Sequence, residues 1–180
     1  GALAGIGAAL NTAQVRPGDS VAVFGCGGVG LSVIQGAKLC NALPLVAVDV
    51  RPEKEAIARQ FGASHFVNAS EGDPVAKVRA ITGDGADFTF EATGITEQAE
   101  LCYKATRRAG TTVLIGQPTE NAMAGFPPYW IAQDENRVIG SSYGSTRPMI
   151  DFPKVLRFVK HGMLNLDALV SEVWPFSRIN

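Results

Sequence analysis

Between Ser20 and Asp49 the chain reads Ser20-Val-Ala-Val-Phe24, then Gly25-Cys-Gly-Gly-Val-Gly30, then an apolar run to Cys40, and finally Leu45-Val-Ala-Val-Asp49. Two apolar runs of strand length thus enclose a glycine turn and a helical stretch, and a carboxylate ends the second run. Gly30, Val33, Ile34 and Ala37 share one face of that helix. Each part of the pattern answers a need of a bound dinucleotide. Gly25 allows a tight turn out of the strand, Gly27 leaves room for backbone to approach a pyrophosphate, and Gly30 lets the helix pack close to the sheet. The helix start offers unpaired N–H groups and a partial positive charge. Asp49, 19 residues after Gly30, stands where a side chain accepts hydrogen bonds from an adenosine ribose. A lone G-x-G-x-x-G is a common turn, and its plainer reading makes Asp49 merely the end of a buried strand. Here a strand before it, a helix after it and an acid at the right distance converge on dinucleotide binding.

The 180 residues, 46% hydrophobic and 18% charged, suit one globular domain with a core of its own. Net charge is −1 and the longest basic run is Arg107-Arg108, so neither nucleic acid nor a membrane surface is expected as a partner. That pair is expected at a helix C-terminus, where cations complement the dipole. Cys26, Cys40, Cys102, His65 and His161 stand far apart. Their spacing matches no metal site, and an odd cysteine count argues against a disulfide framework. A cytoplasmic setting is the expectation. The apolar opening, Gly1 to Leu10, is too short to cross a bilayer and lacks a charged leader. With no methionine at position 1, the chain is expected to be a piece of a longer protein.

Strands and helices alternate along the rest of the chain. Leu3, Ile6, Leu10 and Ala13 predict a helix of about ten residues packed on the sheet and ended before Pro17-Gly18. Pro52 to Gly62 reads as a helix, with Arg51 and Lys54 either flanking an adenosine pocket or simply solvated at the helix end. His65-Phe-Val67 reads as a short strand and His65 as structural. Asp73-Pro74 caps a helix ending at Thr82-Gly83. Phe88-Thr-Phe-Glu91 is a fourth strand leading into the turn Ala92-Thr93-Gly94. Ile95 to Thr106 is a helix, and Thr111 to Ile115 a fifth strand ending in Gly116-Gln117-Pro118. Such turns at strand carboxyl ends are where ligands lie in an open parallel sheet. A loop is expected from Thr119 to Tyr129, a sixth strand at Arg137–Ser141, and a helix from Asp151-Phe-Pro153 with Val155, Leu156 and Val159 inward. A last strand is expected at Leu169–Val173. The alternation predicts an α/β fold, a Rossmann-type doubly wound parallel sheet in three αβα layers.

The stretches Pro17-Gly-Asp-Ser-Val-Ala-Val23, Gly25 to Ser32, Phe61-Gly-Ala-Ser64, Ala86-Asp-Phe88, Glu91-Ala-Thr-Gly94, Ile115-Gly116, Pro175-Phe176 and Ile179-Asn180 resemble the medium-chain, zinc-dependent alcohol dehydrogenases. The resemblance extends over essentially the whole chain and is to the zinc-bearing branch. It implies one NAD(P)-binding domain over residues 1–180, its end heading back towards a catalytic domain not present here. Gly25, Gly27, Gly28, Val29 and Gly30 would hold the pyrophosphate, with Val29 also backing the nicotinamide. Asp49 would take the ribose hydroxyls, flanked by Arg51 and Lys54, and Thr93 and Gly94 would lie on the adenine–ribose side. Ile115, Gly116 and Gln117 would sit beside the nicotinamide carboxamide, with Ser141 to Tyr143 near the same end. Asp49 favours NAD over NADP, because a 2′-phosphate would meet a like charge; Arg51 makes this a preference.

The family often carries threonine where this chain has Ala4. Its zinc ligands and proton relay lie in the absent domain, one cysteine ligand falling just before Gly1, so no catalytic or metal-binding residue is expected in this chain. The implied reaction is hydride transfer between an alcohol, or its aldehyde or ketone, and NAD, with zinc as Lewis acid. This half would bind and orient the cofactor, and would be inactive alone. A formaldehyde dehydrogenase acting on a thiol adduct and a free-standing NAD(H)-binding module remain open. The family's pairing through this domain implies a homodimer or homotetramer, with Asn121 to Ile139 as the edge.

Overall fold

Six strands, β1 (Val21–Phe24), β2 (Leu45–Asp49), β3 (His65–Asn68), β4 (Ala86–Glu91), β5 (Thr106–Leu114) and β6 (Arg137–Gly140), form one sheet in the order β3-β2-β1-β4-β5-β6. Every pairing is parallel, so each connection must cross over the sheet, and helices do the crossing. These are α2 (Gly28–Leu39), α3 (Lys54–Phe61), α4 (Pro74–Thr82) and α5 (Thr96–Ala105). The computed structural model describes residues 1–179, in two compact units: residues 1–146, which hold the sheet, and the residues from Arg147 on. Asn180, half of the closing Ile179-Asn180 pair, lies outside the described residues. The doubly wound, three-layer sheet anticipated from the strand–helix alternation is the fold that forms.

Side-chain alternation divides the core between the two faces. Val23 points towards Gly30 of α2, whereas Ala22 and Phe24 join Val46, Val48, Val67, Val78, Cys102 and Ala105 beneath α4 and α5. Phe24 and Phe90 are fully buried, each stabilising the fold by roughly 1.5–3 kcal/mol. Asp73 caps α4 by accepting from the Val75 and Ala76 N–H groups, with Pro74 at the first helical position.

The ends of the chain depart from expectation. The opening helix is α1 (Ala2–Gly7), continued with wider π-type turns over Ala8–Ala13. It packs chiefly on α2, where Gly5 lets its backbone come against Val29 and Ser32, and its continuation over Ala8–Ala13 reaches the sheet, at β5. The Arg107-Arg108 pair lies at the start of β5, five residues before the expected strand. The reason is that Arg107 pairs with Asp87, Arg108 pairs with Asp134, and the Thr106 hydroxyl joins a buried set with Thr89 and Thr112. α6 (Pro128–Gln133) begins inside the expected loop, opened by a proline at its first position.

In the unit that follows residue 146, α7 (Pro148–Lys160) starts three residues early. Pro148 occupies its first position, and Asp151 Oδ2 takes the Arg147 N–H at 2.6 Å. Pro153 therefore lies within the helix, and Leu156 is exposed, contrary to its expected inward position. No strand forms at Leu169–Val173: a single helical turn, Asp167–Leu169, is followed by irregular backbone, and Val170 and Val173 are exposed without a partner strand.

Candidate cofactor cleft

The strand order reverses between β1 and β4, since the chain winds outwards from β1 to β3 and then returns to the far side for β4. The turns leaving these two strands meet. The Gly25 N–H bonds to Val48 O at 2.8 Å and the Ala92 N–H to Phe24 O at 3.0 Å. Gly25 adopts φ +96°, which excludes an L side chain, and a Cβ there would also press on Thr93 Cγ2 at 2.6 Å. Gly30 answers a different demand: a Cβ would collide with the Gly25 carbonyl oxygen, so only glycine lets α2 start this close to the strand. No side chain caps α2, and Gly27 and Gly28 border open space. Its first N–H groups and positive dipole end are therefore open to solvent, the arrangement that suits an anion.

Asp49 is 9% exposed. Its Oδ2 accepts the Cys26 N–H at 2.7 Å and its Oδ1 the Arg51 N–H at 3.0 Å, with Arg51 Nε 3.8 Å away. One carboxylate thus ties the glycine turn to the end of β2. Burial, then the Asp49 charge, pushes the Cys26 thiol up to about 12, against a smaller opposing pull from Lys54 and Arg51. Cys26 is therefore a neutral packing group, its Sγ against Val48 O at 3.9 Å, and both cations stand within electrostatic reach of the turn.

The anticipated residues divide among three hollows. Val29, Thr93, Ile115, Gly116, Gln117, Ser141 and Tyr143 line a cavity of about 370 Å³ together with Ala4 and Ala92. Gly25, Asp49 and Thr93 share a smaller one of about 80 Å³ with Val48 and Val50. Thr93, common to both, marks their junction. Gly94 opens onto a third, mostly apolar hollow of about 240 Å³, with Gly116 on its wall. Gly27, Gly28, Gly30, Arg51 and Lys54 line none of these three.

Three contributors were missed from sequence. Thr12 Oγ1 bonds to Ser141 Oγ at 2.8 Å and Asn11 Nδ2 donates to Gly144 O at 3.2 Å, pinning the loop that carries Tyr143 at φ +49°. The only signal for these two was polarity at the end of an otherwise apolar helix. The third, Glu91, was visible as an acid ending a strand just before a small-residue turn.

A larger cleft, about 480 Å³, lies at the opposite, amino ends of the central strands, lined by Arg16, Asp19, Asp87, Arg107 and Arg137 among others. Its acids are occupied. Asp87 accepts from Ser20 N at 2.8 Å, Ser20 Oγ at 2.6 Å and Arg107, and Asp19 accepts from Arg16 N at 2.7 Å. Ligands of open α/β sheets bind at the carboxyl ends, at the reversal point, so the smaller cleft is the candidate site. Among the described residues no three His, Cys, Asp or Glu side chains gather as a metal site. The donor set for a zinc ion is not on these residues.

Sheet order, reversal point and glycine turn define a Rossmann-type α/β domain. A family model described as zinc-binding dehydrogenase matches residues 28–161. The S-(hydroxymethyl)glutathione dehydrogenase of Saccharomyces cerevisiae is 37% identical, aligned over all of this chain and 48% of its own length. Among solved structures, an alcohol dehydrogenase zinc-binding domain protein from Burkholderia ambifaria has a TM-score of 0.96 at 32% identity, over 99% of this chain and 48% of that one. A zinc-binding dehydrogenase from Sinorhizobium meliloti, solved with NADP bound, has a TM-score of 0.84 at 26% identity, over 94% of this chain and 49% of that one. The chain belongs to the medium-chain zinc-dependent alcohol dehydrogenase family, and it spans about half the length of the curated relatives it matches.

Proposed function

We propose that this chain binds a nicotinamide dinucleotide, NAD in preference to NADP, and forms the cofactor half of a zinc-dependent alcohol dehydrogenase. The observation that carries the reading is the uncapped start of α2, flanked by the Asp49 hollow on one side and the 370 Å³ cavity on the other. In this reading Gly25, Gly27, Gly28, Val29 and Gly30 hold the pyrophosphate. Asp49 takes the ribose hydroxyls; its two N–H bonds leave carboxylate lone pairs to accept them. Arg51 and Lys54 flank the adenosine, Thr93 and Gly94 border it, and Ile115, Gly116, Gln117, Ser141 and Tyr143 surround the nicotinamide end. When bound, the cofactor supplies the carbon that accepts or gives up hydride. The chain's residues fix where that carbon stands and keep water from one face of it.

The NADP-bound relative and the nearness of Arg51 to Asp49 make cofactor choice the point to test. Titrating the chain with NADH and NADPH, followed by nicotinamide fluorescence, should show NADH tighter. Equal or tighter NADPH binding would refute the role of Asp49. The same preparation should form no NADH from NAD and a small alcohol, and measurable turnover would show that acid–base chemistry resides in this half.

The substrate is a small alcohol or aldehyde. The yeast relative favours a second reading, a thiol adduct of formaldehyde, which assays of the longer protein with and without thiol would separate. We further propose a cytoplasmic protein that pairs through the edge spanning residues 121–139, where β6 ends the sheet and Tyr129 and Trp130 are exposed.

A further inference from the structure

Glu91 ends β4 between two turns of the cleft: the turn after β4, whose Thr93 lines both the adenosine hollow and the 370 Å³ cavity, and the turn after β5 at the nicotinamide end. It is 2% exposed. Its backbone oxygen accepts the Ile115 N–H at 2.9 Å and the Gly116 N–H at 3.1 Å, holding the turn after β5. Its carboxylate holds the turn after β4: Oε1 accepts the Thr93 N–H at 2.6 Å, the Gly94 N–H at 3.0 Å and the Thr93 hydroxyl. The other oxygen, Oε2, stands against Gly116, where a Cβ would collide with it. Among the described residues no Arg or Lys pairs with Glu91, so its charge is met by backbone N–H groups and one hydroxyl.

A buried carboxylate is an expensive way to fill space, and a neutral side chain of the same size would fill it. What the charge adds is strength: hydrogen bonds to an ionised acceptor are about twice as strong as neutral ones. Here three of them converge on one oxygen, while the second oxygen limits how closely Gly116 approaches. Thr93, Ile115 and Gly116 all line the 370 Å³ cavity, and Gly116 also walls the apolar hollow behind it. Apart from Gly25 and Thr93, the lining of the small hollow comes from β2 and the residues after it, Ala69, and the start of α5, where Glu91 makes no hydrogen bond.

We propose that Glu91 is a positioning residue, holding the turns after β4 and β5 in mutual register so that the nicotinamide end of the cofactor is gripped more tightly than the adenosine end requires. This rests on the reading of the cleft as a nicotinamide dinucleotide site. Glu91→Gln keeps the size and an acceptor oxygen but removes the charge. It also forces an NH₂ group either among the three donors or against Gly116.

The test compares affinities of the chain for NADH and for ADP-ribose, which lacks the nicotinamide. In Glu91→Gln, NADH binding is expected to weaken about tenfold and ADP-ribose binding less than about threefold. The fluorescence change of bound NADH should shrink as well. Equal loss for both ligands, or no loss of NADH, would overturn the proposal. Should Glu91→Gln fail to fold by circular dichroism, Glu91→Asp keeps the charge but draws both oxygens back from Thr93, Gly94 and Gly116, and the same inequality should appear. Wild-type chain that binds neither ligand would instead sink the cofactor reading, whereas wild-type binding with an indifferent Glu91→Gln sinks this inference alone.

Discussion

The two ends of the sheet treat charge in opposite ways. At the amino ends arginine side chains close off the acids: Asp87 pairs with Arg107 besides accepting the Ser20 N–H and hydroxyl, and Asp134 pairs with Arg108. At the carboxyl ends the two buried acids, Asp49 and Glu91, are satisfied mainly by backbone N–H groups. The first arrangement closes the site on itself and leaves little for a ligand. The second uses carboxylates to shape turns, and leaves the N–H groups that start α2 uncovered. This is why the larger hollow is the poorer candidate: volume measures room, whereas binding needs polar groups held in place with capacity to spare.

The contrast breaks most visibly at Gly30. Gly30→Ala puts a methyl group into the Gly25 carbonyl, and the helix start has to move. NADH affinity should fall by more than about 100-fold, and overpacking should lower stability by roughly 1–3 kcal/mol. Arg107→Met at the other end should leave NADH affinity unchanged within about twofold, as expected for a part-exposed ion pair worth under about 1 kcal/mol. If both variants lower NADH affinity alike, the two ends are not separate in function. Next in size is Asp49→Asn. Removing the like charge should shift the ratio of NADPH to NADH affinity by about tenfold, or 1.4 kcal/mol, towards NADPH; an unchanged ratio would place cofactor choice elsewhere, with Arg51 and Lys54 the nearest candidates.

A third prediction concerns pH and belongs to the amino end. Burial pushes the Asp87 carboxyl up, but hydrogen bonds from Ser20 and the bond and charge of Arg107 outweigh it, so its pKa lies below the ordinary value. A depressed folded-state pKa means stability that is present above the unfolded value, about 3.9, and lost as pH falls through the folded one. Asp87→Asn should therefore flatten the acid limb of the melting-temperature profile and leave NADH affinity at neutral pH unchanged. A limb as steep as in the wild type would show that other carboxylates govern acid unfolding.

How much of this could be read from residue order depends on the range of the interaction. The glycine turn, α2 and β2 were legible because local periodicity and turn chemistry dictate them. The sheet followed because each strand–helix alternation repeats the same constraint. Thr106 was assigned to a helix end because its hydroxyl partners, Thr89 and Thr112, come from 17 residues earlier and six later. The same holds for Arg107, whose partner lies 20 residues back. Leu169–Val173 looked like a strand by pattern, but a strand needs a neighbour and none is there. At the site, the cavity-lining turns were identifiable as small-residue breaks at strand ends. Asn11 and Thr12 were not, because they act on a loop about 130 residues away.

The smallest expected effect tests the carboxyl end most finely. Cys26 sits inside the glycine turn, yet Asp49 bonds to its backbone N–H, and its buried thiol donates only weakly, to Val48 O at 3.9 Å. If backbone alone shapes this end, Cys26→Ala should bind NADH within about twofold of the wild type, because the group that matters survives the substitution. The thiol should also be inert. With burial and Asp49 holding it at about 12, only ~10⁻⁴ of it is thiolate at pH 8, and thiolate is the reactive form. Iodoacetamide followed by mass spectrometry should leave Cys26 unmodified in the folded chain and modify it on unfolding. Rapid labelling of Cys26 in the native state, or a tenfold loss of NADH affinity in Cys26→Ala, would mean that the side chain takes part in the turn, and the contrast between an arginine-paired end and a backbone-satisfied end of the sheet would not hold.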